Sequence, residues 1–158
     1  MTRVAALALI ATAALLAAPA GAAPAPTIIQ LIAVEISSSE KDVAPKGPSK
    51  GDWGKSTTKL LNGVRQFGKK ANAAVGHDTG TFRLQSARSA TATGKAWLPG
   101  GTILFRGKVT FIDGGGLSVP VVGGTGVYAG VHGQLLVAST NNAKRSINIY
   151  RLIYPQIA

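Results

Sequence analysis

The feature that most constrains this chain is how often it is interrupted. Beyond residue 27, no stretch runs free of Gly, Pro or a polar turn cluster for long enough to build a long amphipathic helix. Between the interruptions, apolar and polar residues alternate with the two-residue period of a strand. Thr27 to Ile36 reads TIIQLIAVEI. Thr102 to Ile112 reads TILFRGKVTFI, with Ile103, Phe105, Val109 and Phe111 on one face and Arg106, Lys108 and Thr110 on the other. Thr79 to Ser86, Thr91 to Leu98, Leu117 to Val122 (with Pro120 inside it), Val131 to Ser139 and Ser146 to Tyr154 read as strands too. Thr57 to Phe67 stays open between strand and short helix, because Leu60, Leu61, Val64 and Phe67 also fit helical spacing. Ser37 to Gly54 is polar and rich in Lys, Pro and Gly, and reads as a long loop. Pro99-Gly100-Gly101, Asp113-Gly114-Gly115-Gly116 and Asn141-Asn142 are turn signals. Roughly seven or eight strands at such close spacing predict an all-β sandwich or barrel, and 20 glycines suit its tight turns and bent strands.

The residues before the first strand carry a different message. Arg3, the apolar run Val4 to Ala18 and the small residues Pro19-Ala20-Gly21-Ala22 form a secretory signal peptide over residues 1–22. The alternative, an uncleaved anchor, suffers from an apolar run shorter than the ~20 residues that span a bilayer. Residues 23–27 read as a stiff, disordered leader. Residues 28–158 then form one domain, large enough to bury a core. The expected setting is secreted and extracellular. There is no cysteine, so disulfides, thiol chemistry and Cys-based metal sites are excluded. The chain has 17 Lys+Arg against 6 Asp+Glu, a formal charge of +11. Such a charge draws an exported protein to an anionic cell-wall or membrane surface. Nucleic acid is not expected as a partner, because the cations are scattered among few aromatics and belong to no recognised module.

Three motif-like features dissolve on inspection. Gly124-Thr125-Gly126-Val127-Tyr128-Ala129 fits a dinucleotide fingerprint, which needs a helix opening at the glycines and an acid about 20 residues later. Gly130 and Gly133 interrupt any such helix, and no acid follows Asp113. Gly54-Lys55-Ser56 resembles the end of a phosphate loop, but Ser49 stands where its first glycine belongs. His77 and His132, the only histidines, could bind a cation together with Asp78, yet no cluster at metal spacing exists. No metal and no cofactor is expected.

A resemblance emerges over Val119 to Val137, VPVVGGTGVYAGVHGQLLV. The apolar Val121-Val122, the run Gly123-Gly124-Thr125-Gly126, the aromatic Tyr128, the small pair Ala129-Gly130 and the strand-opening Gly133 are similar to the dirigent and allene oxide cyclase superfamily. Leu98-Pro99-Gly100-Gly101-Thr102-Ile103 and Gly107 match the strand-turn-strand before it, and Gly51-Asp52 and Lys59-Leu60-Leu61 match more loosely upstream. The likeness spans nearly all of Ile28 to Tyr154 and is strong over residues 98–137. It implies an eight-stranded antiparallel β-barrel of the calycin-like, allene oxide cyclase or dirigent type, with a central cavity for a small hydrophobic or phenolic ligand. It also implies a homo-oligomer, dimer or trimer. Glu35 occupies the place of the cyclase family's first-strand Glu, Ser37 that of its Asn, and Ala44-Pro45 that of its Pro; the family's cavity cysteine has no counterpart. The dirigent Arg is replaced within Leu117-Ser118, and His132 takes the place of a Tyr or Arg.

Read from the residues alone, alternation puts Ile29, Leu31, Ala33 and Glu35 on one face of the first strand without saying which face is inside. An inward Glu35 could act as a general acid or base, and an outward one is an ordinary surface acid. Asn148, Tyr150, Leu152 and Tyr154 share a face of the last strand, where Tyr150 or Tyr154 could offer a hydroxyl to a ligand or simply pack. Asp52 is expected to stabilise a loop and Asp113 to start a turn. The expected catalytic residues are therefore Glu35 and Tyr150, and the expected ligand-binding residues Ser37, His132, Asn148 and Tyr154. Two functions follow. One is a secreted barrel that steers the cyclisation or stereoselective coupling of its ligand; the other is a non-catalytic binding or surface protein with a packed lumen.

Overall fold

The structure, a computed structural model, describes residues 27–155; the expected signal peptide and nearly all of the expected leader lie outside the described residues. Eight strands follow one another: β1 (Ile28–Lys41), β2 (Trp53–Asn62), β3 (Ala74–Ser86), β4 (Ser89–Leu98), β5 (Gly101–Ile112), β6 (Gly116–Gly126), β7 (His132–Ser139) and β8 (Arg145–Ile153). Each pairs antiparallel with the next, and β8 pairs with β1, so the sheet closes into a barrel. Closure removes the exposed sheet edges that an open sheet of this length would carry.

Three elements differ from the sequence reading. Thr57 to Phe67 is not helical: it belongs to β2 up to Asn62, after which the chain bends through Val64 and Phe67. Ser37 to Lys41, expected in a loop, extends β1. The sixth strand continues through the glycine run to Gly126 instead of stopping at Val122. No helix follows Gly126; residues 127–130 form a turn.

The two ends of the barrel are built differently. At the end where β1 begins, Ile29, Leu31, Leu60, Ile103 and Leu152 fill the interior. The turn after β6 caps them with Tyr128 and Val131, both fully buried. The Tyr128 hydroxyl donates to the Pro99 carbonyl at 3.0 Å, and Val127 N donates to Gly100 O at 2.9 Å. These contacts lock the β4–β5 turn to the β6–β7 turn. Gly126 sits at φ 62, and a Cβ there would lie 2.0 Å from Gly100 O, so only glycine permits the two turns to meet this closely. Buried Asn62 completes the floor: its amide donates to the carbonyls of Gln66, Lys69 and Lys70 and folds the β2–β3 loop beneath the barrel.

At the opposite end the lumen stays open. There the β1–β2 loop is held aside by Asp52, which accepts hydrogen bonds from Val43 N and Ser49 N, each at 2.8 Å, and from Ser49 Oγ at 3.0 Å. Those backbone donors hold the Asp52 carboxyl below its ordinary range.

Candidate functional site

The open half of the lumen is a cavity of about 290 Å³, near the lower end of the ~300–1,000 Å³ typical of small-molecule sites. Its lining follows from strand register. Glu35 faces Thr58, Thr58 faces Asp78, and Asp78 faces Ala96 across successive strands, so all four point inward. The same parity turns Phe105 of β5, Val119 of β6, Leu135 of β7 and Asn148 of β8 into the lumen.

Small residues make the space. Gly80, Ala92 and Gly94 of β3 and β4 stand where larger side chains would fill the interior. A Cβ on Gly94 would fall 2.2 Å from the Phe105 ring, and one on Gly54 would fall 2.3 Å from the Phe82 ring. The glycines thus let two aromatic rings lie against the wall, where they give a ligand a flat apolar surface.

The wall has two chemistries. Ala92, Phe105, Leu117, Val119, Leu135 and Val137, from β4 to β7, make an apolar side. Glu35, Ser38, Thr58, Asp78, Ser146 and Asn148, from β8 and β1 to β3, make a polar side. Asp78 is the buried acid among them. Desolvation pushes its carboxyl above the ordinary value; a hydrogen bond from Thr58 Oγ1 at 2.7 Å and the nearby His77 pull it back part of the way. A carboxyl raised in this way keeps its proton to a higher pH than a solvated one, the direction that suits a general acid or base. Asn148 Oδ1 accepts a hydrogen bond from Ser146 Oγ at 3.0 Å, which orients the amide beside Asp78's side of the lumen.

Glu35 lies nearer the mouth and is partly exposed, and its Oε1 accepts a hydrogen bond from Ser38 Oγ at 3.0 Å. Tyr150 is completely buried at the inner end of the cavity. Burial pushes its hydroxyl well above the ordinary value, and the charge of Asp78 pushes it further. That hydroxyl has no hydrogen-bond partner among the described residues.

The structure therefore brings Glu35 and Asn148 together with Asp78 in one cavity and sets Tyr150 just behind it. It does not bring in the other three expected residues. Ser37 points outward and is exposed, because a bulge between Glu35 and Ser37 shifts the strand by one residue and gives the inward position to Ser38. His132 is exposed where β7 begins, at the closed end. Tyr154 lies just past β8, packed against the apolar core at that same end, with its hydroxyl pushed up by burial. Pro45, in the β1–β2 loop, is not part of the lining. Asp78, weighed from sequence only as a cation ligand beside the histidines, is the cavity residue that sequence reasoning missed. The signal was present: Gly76, Asp78, Gly80 and Phe82 alternate with His77, Thr79, Thr81 and Arg83, so starting the third strand a few residues earlier places the acid on the face of Phe82.

No family model and no curated protein matches this chain. Solved structures do match its fold. A pyocyanin demethylase superposes with a TM-score of 0.66 at 20% identity, over 80% of this chain and 99% of the other. An exo-specific intermolecular Diels-Alderase gives 0.61 at 16% identity, over 80% and 98%. A pterocarpan synthase dirigent protein gives 0.59 at 14% identity, over 84% and 87%. The chain shares its eight-stranded barrel with these proteins.

Proposed function

We propose that the barrel takes one small, mostly apolar or phenolic molecule into its open half and steers the cyclisation or stereoselective coupling of that molecule. The observation that carries this reading is the cavity itself, enclosed by a closed barrel, apolar on one side and acid-bearing on the other. A ligand pressed against Phe105, Val119 and Leu135 turns its polar atoms toward Asp78, Thr58 and Asn148. Holding one reactive conformer in this way accelerates and directs an intramolecular step without further chemistry. Asp78 supplies or removes a proton, or balances a developing positive charge, in a site of low dielectric; Glu35 does the same at the mouth. Two neighbours in fold, a Diels-Alderase and a pterocarpan synthase dirigent protein, support this kind of reaction. The signal-peptide pattern of residues 1–22 supports a reaction outside the cell.

The test is thermal denaturation against a panel of phenolic and polyene compounds, with the wild type beside an Ala92→Phe variant that fills the cavity. A ligand present at about 100 times its Kd adds roughly 2.7 kcal/mol to the stability of the folded state. The wild type is expected to show that rise in Tm and the filled variant to lose it. Equal shifts in the two proteins would place binding outside the lumen and end the proposal. Bound compounds that are then recovered unconverted, with no change in product stereochemistry, would leave the non-catalytic binding protein as the function.

A further inference from the structure

Every acid carried by a strand faces the lumen or its mouth: Glu35, Glu40 and Asp78. The other three of the chain's six acids lie between strands, Asp42 and Asp52 in the β1–β2 loop and Asp113 in the β5–β6 turn. The outward face of the barrel strands therefore carries no carboxylate at all, although it carries many cations. These concentrate on one side. Register places Lys59 of β2, Arg83 of β3, Lys95 of β4, and Arg106 and Lys108 of β5 on the outer wall.

They are ordered along the barrel axis. Lys59, His77 and Trp97 stand in one cross-strand row; Thr57, Thr79 and Lys95 in the next; Lys55, Thr81, Thr93 and Arg106 in the third; Trp53, Arg83, Thr91 and Lys108 in the fourth. Rows on one face of a sheet lie about 6.7 Å apart, so the cations span roughly 20 Å. Threonine hydroxyls separate them.

We propose that this outer wall of β2 to β5 is a docking surface for a linear, carboxylated polysaccharide. A flexible polyanion can follow a row of cations spaced this way, and its sugar hydroxyls match the intervening threonines. The wall suits other polyanions less well. A bilayer surface is flat and holds peripheral proteins through inserted apolar groups, whereas this wall is convex and its side chains between the cations are mainly threonine. Single-stranded nucleic acid needs bare aromatic faces for stacking. This wall has two tryptophans, three rows apart: Trp53 beside Arg83, and Trp97, which is stacked on His77 with ring centroids 4.6 Å apart and planes 12° apart and has Lys95 Nζ 5.4 Å from its centroid. The Trp97 ring holds Lys95 in place.

The test is titration of the protein with polygalacturonate. One variant removes wall charge (Lys59→Gln, Lys95→Gln, Arg106→Gln and Lys108→Gln together). A charge-matched control removes the same number from the loops (Lys46→Gln, Lys50→Gln, Lys69→Gln and Lys70→Gln). The wall variant is expected to bind about tenfold or more weakly, and its log–log salt dependence to fall by roughly one for each cation removed; the control is expected to stay near wild type. Amide NMR shifts of the wild-type protein on adding polygalacturonate oligomers should cluster on β2 to β5, a readout that does not depend on how the variants fold. Equal losses in both variants would reduce the effect to net charge and overturn the proposal. So would tighter binding to single-stranded DNA or to phosphatidylglycerol vesicles than to polygalacturonate, or amide shifts spread over the whole barrel.

Discussion

Asp78 and Asp52 couple stability to pH in opposite directions. The Asp52 carboxyl is held below its ordinary 3.8 by the Ser49 and Val43 amides, so its contribution is complete above that value and is lost as pH falls through its folded pKa. Asp78 is raised by burial. The fold then binds a proton that the unfolded chain has released, and stability declines as pH rises from 3.8 through the folded pKa. Asp78→Asn removes the second effect. The variant is expected to be more stable than wild type at pH 7, with the difference closing as pH approaches 4, in urea denaturation at a series of pH values. The same variant is expected to lose ligand-induced stabilisation. A variant that is less stable at pH 7, or a gap that widens toward pH 4, would show that the carboxylate is stabilised where it sits. At this scale the sequence was half legible. Glu35 stands out because an acid among Leu, Ile and Val is conspicuous. Asp78 does not, since its inward neighbours are Gly76 and Gly80, and a glycine carries no hydrophobic signal to mark the face.

The strands were legible where one face is apolar and hidden where neither is. The alternation of β5 can be read directly, and Ile103, Phe105 and Val109 are buried as it implies. The far end of β1 cannot be read: at the mouth, both the inward Ser38 and Glu40 and the outward Ser37, Ser39 and Lys41 are polar, so the period disappears. Leu60 and Leu61 confuse the second strand differently. One is buried in the lumen and the other lies half-buried on the outer wall, and a pair of adjacent leucines mimics helical spacing. Bulges leave no compositional mark: the resemblance puts Ser37 in the place of the family's Asn, two residues after Glu35, and nothing in the sequence shows that the extra residue, Ile36, turns it out. The register makes a prediction. Ser38→Ala removes the donor to Glu35 and is expected to weaken ligand binding by up to about tenfold, the equivalent of one hydrogen bond. Ser37→Ala is expected to leave binding within about twofold of wild type. Isothermal titration with a ligand from the panel measures both, and the reverse ranking would mean that the bulge is absent in solution.

Across the whole molecule, packing density changes along the barrel axis. The closed half is a filled core: Ile29, Leu31, Leu60 and Ile103 are entirely buried and Tyr128 seals them. The open half gives up that burial to keep a cavity, with Leu117 and Val137 only half-buried along its wall. Dense packing and open space therefore lie at opposite ends, so the wall of the cavity can change with little effect on the fold. Leu31→Ala, which opens a void in the filled half, is expected to cost about 2–5 kcal/mol. Leu117→Ala removes the same atoms beside space that already exists, and is expected to cost about 1 kcal/mol. It also enlarges the cavity and should shift selectivity toward bulkier ligands. Denaturant unfolding of the two variants gives the comparison. Similar costs at the two sites would mean that the open half collapses onto itself in solution, leaving no room for a guest between Phe105 and Asp78.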